Sequence, residues 1–200
     1  YLPSHPDTSD PYFRIQGVKL WHDGSPYTGS MWLEAPYLES SLAKRLGIAT
    51  GSAGAAIIPP DSLRALLRRY EGQGWQVAIH SQGDASTSAV IAAWSDVPQV
   101  KTNGPRRIEH AILLPDSMIA VMARAGVSPS FHINHVRYYG DALTDAIVGP
   151  ERTQRLLPVR SAFAAGLRPT LHADSPMFPV DAFSLMQTAV LRRSNGGMVI

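Results

Sequence analysis

The sequence predicts an α/β fold built on a parallel sheet, and three observations predict it. Short apolar runs alternate with helical patterns along most of the 200 residues. Lys19, His80, His110, His132 and Asp174 each fall at or just past the carboxyl end of a proposed strand, the edge on which α/β proteins build their sites. The spacing also fits: His80 and His110 are 30 residues apart, and one unit of a (β/α)8 TIM barrel takes about 30 residues. His110 and Asp174 are 64 apart, two such units, and Lys19 and His80 are 61 apart, one unit plus an irregular insert.

Residues 1–13, rich in Pro, Ser and Asp, read as a loop. Residues 14–20 are strand-like, and 22–60, with many Gly, Pro and Ser, are the least regular stretch. Pro59-Pro60-Asp61 opens a helix whose Leu63, Leu66, Leu67 and Tyr70 share a face and which Gly72 and Gly74 end. Residues 76–80 form a buried strand, followed by a helix through Val90, Ile91 and Trp94. Residues 107–110 make the next strand. Pro115-Asp116 starts a helix carrying Met118, Val121, Met122 and Ala125, closed by Gly126. Residues 127–131 are a strand; 151–165 are helical, divided or kinked at Pro158; 167–172 are a strand. Asp181 begins a last helix with Phe183, Met186 and Val190 directed inward. No solenoid-type repeat is present.

Composition narrows the function. Apolar residues are 44% and charged residues 17%, enough for a core and too few charges for disorder. The 18 Lys+Arg against 16 Asp+Glu leave a net charge of +2 with no basic block, which argues against a nucleic-acid or membrane-surface protein. The charges in 64–71 and 106–109 read as solvated flanks. The absence of cysteine excludes a disulfide scaffold, a thiolate metal site and a thiol nucleophile. No apolar run reaches the roughly 18–20 residues of a bilayer span, and no signal peptide is visible, so a cytoplasmic protein is expected. The first residue is Tyr1 and the last three are Met198-Val199-Ile200; the chain reads as a piece of something longer.

Two imidazoles and a carboxylate from separate strands make a divalent-metal site, zinc above all. Singly, each residue has a plainer reading: a hydrogen-bonded structural histidine, an aspartate capping Ser175-Pro176, a solvated lysine. Their shared rim favours the site. Trp21, Tyr37, Phe131, Tyr138 and Tyr139 lie near the same loops and are candidates for a substrate pocket; packing beneath the loops explains Tyr37 equally well.

Four phrases in one order resemble amidohydrolase family 3 of the amidohydrolase superfamily, which includes N-substituted formamide deformylases. Gly17-Val18-Lys19 with Asp23-Gly24-Ser25 is similar to the fourth-strand phrase, and Thr28-Gly29 and Pro36-Tyr37 to the loop after that strand. His80 with Gly83-Asp84 resembles the fifth strand, Arg107-Ile108-Glu109-His110-Ala111 the sixth, and Ala173-Asp174-Ser175-Pro176 the eighth, with Ala173 where the family has Ser. The resemblance implies a partial barrel, strands four to eight, with the first-strand His-x-His pair and a β-sandwich domain lying outside residues 1–200. It also implies that His135 in His132-Ile133-Asn134-His135 matches the family's seventh-strand histidine and contacts substrate, which puts a metal role for His132 in doubt; Trp21 and Tyr138 are the aromatic candidates for the same substrate pocket.

The resemblance implies metal ligation by Lys19, His80, His110 and Asp174. Lys19 would act as a carbamate, since an ammonium has donors only. Asp174 would exchange protons between the attacking water and the leaving nitrogen of a small-molecule amide or formamide. Asp84 and Glu109 adjoin the ligands and are candidates for fixing the imidazoles. With the upstream pair outside the chain, weak or absent metal binding is expected. Two alternatives remain open: a mononuclear deaminase, favoured by an unmodified Lys19, and a non-catalytic, self-associating fragment. Five strands do not close a barrel, and an open edge favours homo-oligomers.

Overall fold

The computed structural model describes residues 3–7, 9–102 and 104–200. Positions 1, 2 and 8 of the expected N-terminal loop lie outside the described residues. Five strands, β1 (Gly17–Trp21), β2 (Gln76–Ser81), β3 (Arg106–His110), β4 (Val127–Phe131) and β5 (Thr170–Leu171), form one sheet in the order β1-β2-β3-β4-β5. Every neighbouring pair is parallel. Strands laid down in sequential order with right-handed crossovers place all connecting helices on one face. The sheet is therefore a sector of a (β/α) barrel and not a doubly wound sheet.

Strand alternation then sorts the residues. Val18, Val77, Ile79, Ile108 and Val127 are buried against the helix layer. Lys19, Ala78, Arg107 and Ser128, which are linked across the ladder, take the other face. The helix layer comprises α2 (Pro60–Gly72), which follows the short α1 (Ser41–Arg45), then α3 (Asp84–Ser95) and α4 (Asp116–Ala125). Leu63 and Leu67 of α2, Val90, Ile91 and Trp94 of α3 and Met122 of α4 are fully buried. Gly126 closes α4 in the left-handed region at φ 66°, where a Cβ is unfavourable.

Several details depart from the sequence reading. The stretch 22–60 holds a 3-10 turn (Pro26–Thr28), α1, and half of a second core, in which Met31, Leu33, Tyr37 and Ile48 meet Ile112, Leu143 and Leu156. The helix α5 (Asn134–Ala142), continued by a π-helical turn (Leu143–Ile147), was not anticipated; its Gly140-Asp141 interrupts any apolar periodicity. The expected division of the 151–165 helix is present, but wider than Pro158 alone: α6 (Pro150–Thr153) and α7 (Val159–Ala164) are separated by residues 154–158. The last strand is only Thr170–Leu171.

Two expectations are corrected. In α8 (Ala182–Leu191) the buried side chains are Leu185 and Thr188, whereas Phe183 and Val190 are 82% and 78% exposed and Met186 is exposed as well. An apolar stripe marks a helix without naming the face that packs. Glu71 and Arg106 are not solvated flanks: both are buried and paired at 2.6 Å. Among the described residues, no helix is long and apolar enough to cross a membrane.

Candidate metal centre at the strand carboxyl ends

Parallel strands bring their carboxyl ends to one rim, and five histidines stand there. His80 ends the apolar part of β2 and pairs with Trp21 and Glu109 in register. His110 is the last residue of β3, His132 follows β4, and His172 follows β5. His135 enters from the first turn of α5. Ring centroids lie 4.3 Å apart for His80–His110, 5.1 Å for His110–His172, 5.2 Å for His132–His172 and 4.4 Å for His132–His135. Alternation along β3 would send His110 to the helix face with Ile108. Instead the backbone turns left-handed at His110 (φ 75°) and Ala111 (φ 47°), an unfavourable region for a side-chain-bearing residue, and the imidazole joins the cluster.

One ligand nitrogen from each of His110, His132 and His172 lies within 4.8 Å of the others. Their hydrogen bonding shows what the cluster lacks. His172 Nδ1 is tied to Ser130 Oγ at 2.9 Å. Both nitrogens of His110 and Nε2 of His132 are buried without a hydrogen-bond partner among the described residues. Buried polar atoms are almost always satisfied, and metal-ligating histidines characteristically tether the nitrogen that does not bind. The residues present therefore fit a divalent ion. Burial holds the imidazoles neutral, the form that ligates. Desolvation pushes His80 and His172 down to about 4, and holds His110, His132 and His135 below the usual histidine range.

The other expected site residues border this cluster in different ways. His80 Nε2 accepts from Gln82 Nε2 at 3.0 Å. Lys19 is exposed, its ammonium 5.3 Å from the Trp21 ring centroid. Lys19, Glu109, His172 and Asp174 line one cavity of about 410 Å³. The Asp174 carboxylate raises the pKa of His80, His132 and His172, and the Lys19 charge lowers that of His80, His110 and His172. Glu109 pairs with Arg107 at 2.9 Å, and Asp84 accepts from the Glu34 and Ala85 amides; their hydrogen bonds go to groups other than the imidazoles. Trp21, 55% exposed, lies 6.2 Å from the His80 ring, and Tyr138, 41% exposed, stacks on Phe178 at 4.5 Å. Phe131 is core, and Tyr37 is packed beneath the loop with its hydroxyl on the Met31 carbonyl.

Sequence reasoning missed four contributors. His172 was visible only as one more strand-end residue, two positions before Asp174. Ser130 and Tyr27 carry no motif of their own. Asp23 was noted only as part of a phrase; it is fully buried and accepts from the amides of Trp32, Gln82 and Gly83 at 2.9–3.0 Å. Burial raises its pKa to about 6 against those three donors. Gly83 must be glycine here, since a Cβ would overlap the Trp32 carbonyl.

The sequence model of the amidohydrolase family matches residues 3–200. Among curated proteins, the chain is 25% identical over 187 residues to YtcJ of Bacillus subtilis (strain 168), covering 94% of this chain and 33% of that protein. It is 26% identical over 145 residues to the N-substituted formamide deformylase of Arthrobacter pascens, covering 72% and 27%. The chain thus spans about a third or less of the length of these relatives. An uncharacterized metal-dependent hydrolase from Pyrococcus horikoshii OT3 superposes with a TM-score of 0.73 at 25% identity, over 90% of this chain and 34% of that one. One from Pyrococcus furiosus gives 0.76 at 22% identity over 93% and 36%, a likeness of fold.

Proposed function

The chain belongs to the amidohydrolase family, and on that premise we propose that it supplies the metal-binding rim of a hydrolase that cleaves a C–N bond of an amide or N-substituted formamide. The observation that carries this reading is the group of His110, His132 and His172 nitrogens within 4.8 Å, with buried ring nitrogens of His110 and His132 lacking a partner among the described residues. These three imidazoles would hold the ion, and the donor set suits zinc. Lys19 in carboxylated form, Asp174, and His80 once the Gln82 amide turns away are the further donors proposed for this rim. When bound, the ion supplies Lewis-acid activation of water and of the substrate carbonyl at neutral pH.

The chain's own residues do the rest. Asp174, exposed at the cavity that also holds Lys19, takes the proton of the attacking water and returns it to the leaving nitrogen. Trp21 and Tyr138, both exposed on this rim, offer apolar surface to a nitrogen substituent. His135 contacts the acyl oxygen. On this reading the three imidazoles bind an ion saturably, in contrast to the weak or absent binding implied by an upstream pair outside the chain. The test is amine release from an N-substituted formamide by the zinc-loaded chain and by His172→Ala and Asp174→Asn. Release abolished in both variants supports the reading; release by the wild-type chain that neither substitution affects contradicts it.

A second reading is favoured by one observation. Phe163, Phe183, Met186 and Val190 are exposed around a cavity of about 810 Å³ or beside it on α7 and α8, and exposed apolar patches mark candidate association sites. On this reading the chain self-associates through that face. Sedimentation of the wild type and of Phe183→Glu/Val190→Glu distinguishes the two: an oligomer dispersed by the substitutions supports association, and a monomeric wild type contradicts it.

A further inference from the structure

We propose that Tyr27 is a positioning residue that locks His135 in the Nε2–H tautomer, and so makes His135 a hydrogen-bond donor to the substrate's acyl oxygen and not an ion ligand. The part concerning substrate rests on the hydrolase reading above; the part concerning the tautomer does not.

One short contact carries the assignment. Tyr27 Oη and His135 Nδ1 are 2.6 Å apart, and the two atoms share one hydrogen. A phenol is the stronger acid, with an ordinary pKa of about 10, and a neutral imidazole nitrogen is the better acceptor, so the matched arrangement has the phenol donating. The reverse arrangement is also poorly satisfied. The Tyr27 hydroxyl has no other hydrogen-bond partner among the described residues, so accepting from Nδ1–H would leave its own proton unpaired at a partly buried position. With Nδ1 accepting, the ring hydrogen must be on Nε2.

The surroundings keep this geometry rigid. Tyr27 and His135 are stacked, 5.7 Å between centroids and 28° between planes, and Tyr139 packs 4.5 Å from Tyr27 and 5.9 Å from His135. Tyr27 sits in the 3-10 turn Pro26–Thr28, capped by the Ser25 hydroxyl, which accepts from the Tyr27 amide. The His135 ring meets His132 edge to face at 4.4 Å, yet it contributes no atom to the group of three converging nitrogens. His132 Nε2 has no partner, so it does not take up the His135 hydrogen. A fixed N–H on a ring packed against His132 is the kind of preorganised donor a developing oxyanion requires.

The test reads the tautomer directly. Long-range ¹H–¹⁵N correlation spectra are recorded on the ¹⁵N-histidine chain without metal or substrate, with the His135 signals assigned from His135→Gln. The expected result is a single tautomer with hydrogen on Nε2. Tyr27→Phe, which keeps the ring stack, is expected to give averaged signals from both tautomers. Hydrogen on Nδ1 in the wild type overturns the proposal, as does an unchanged pattern in Tyr27→Phe; should that variant not fold, the wild-type spectrum decides alone. In the zinc-loaded chain, Tyr27→Phe is expected to lower kcat about tenfold with KM little changed. An unchanged kcat, with the tautomer lost, overturns the catalytic part. A chain that binds no metal leaves the spectra readable, so failure of the hydrolase reading is seen separately.

Discussion

The Arg106 guanidinium grips the Glu71 carboxylate side-on, Nε to Oε1 at 2.9 Å and Nη2 to Oε2 at 2.6 Å, inside the helix layer. Trp94 Nε1 donates to the same Oε1, and Arg106 reaches the carbonyls of Trp94 and Val97. One bidentate pair thus joins the end of α2, the end of α3 and the start of β3. Breaking such a pair from one side leaves a buried charge unmatched. Glu71→Ala is expected to lower unfolding free energy by about 3–5 kcal/mol, measured by urea denaturation. A loss below about 1 kcal/mol, the scale of an exposed pair, would show that the pair is solvated.

This pair also shows where sequence reading stops. Strand β2 and helices α2, α3 and α4 are legible because each is an apolar run or stripe with Gly or Pro at a boundary, and β3 and β4 because they fall between such helices, which is local information. The Glu71–Arg106 pair spans 35 residues, and Tyr27–His135 spans 108; neither has a local signature. His80, His110 and Asp174 were legible as strand ends carrying motif phrases. His172 was hidden because a lone histidine at a strand end is usually structural, and only the fold brings it beside His110 and His132. The α8 stripe was legible as a helix but assigned the wrong face, since periodicity does not say which side the protein covers.

Acid is expected to destabilise the metal-free chain. Burial lowers His22, His80 and His172 from 6.5 to about 4, and lowers His110, His132 and His135 as well. The unfolded chain then takes up protons first, so the stability these groups contribute is complete above about pH 6.5 and is lost as pH falls toward 4. Asp23 acts oppositely: its carboxyl, raised from 3.8 to about 6, stabilises the fold at low pH and ceases to do so as pH rises through 6. Six histidines outweigh it, and a net loss of several kcal/mol, on the order of one per shifted pKa unit, is expected between pH 7.5 and 4.5. Denaturation midpoints across that range check this; a flat or rising stability on acidification would contradict neutral, buried imidazoles.

Asp23→Asn is expected to cost about 2–3 kcal/mol, because an amide nitrogen would face one of three backbone donors now bound by the carboxylate. Gln82 would loosen with it, and through Gln82 the His80 ring. Thermal denaturation together with zinc titration checks both effects. Full stability with unchanged zinc affinity would show that Asp23 organises neither loop.

Asp181 caps α8 by accepting from the amides of Phe183 and Ser184, each at 3.1 Å. Asp181→Ala is expected to cost about 1 kcal/mol, read as a shifted urea midpoint with an unchanged slope. A neutral substitution would mean that the first turn of α8 is held by other contacts.

The central claim is that His110, His132 and His172 present free nitrogens to one divalent ion. Isothermal titration of the dialysed chain with zinc at pH 7.5 tests it most directly. The account predicts saturable binding near one equivalent, weakened at least tenfold in His110→Ala and in His172→Ala. Absence of saturable binding by the folded chain, or affinity unchanged in both variants, would contradict it.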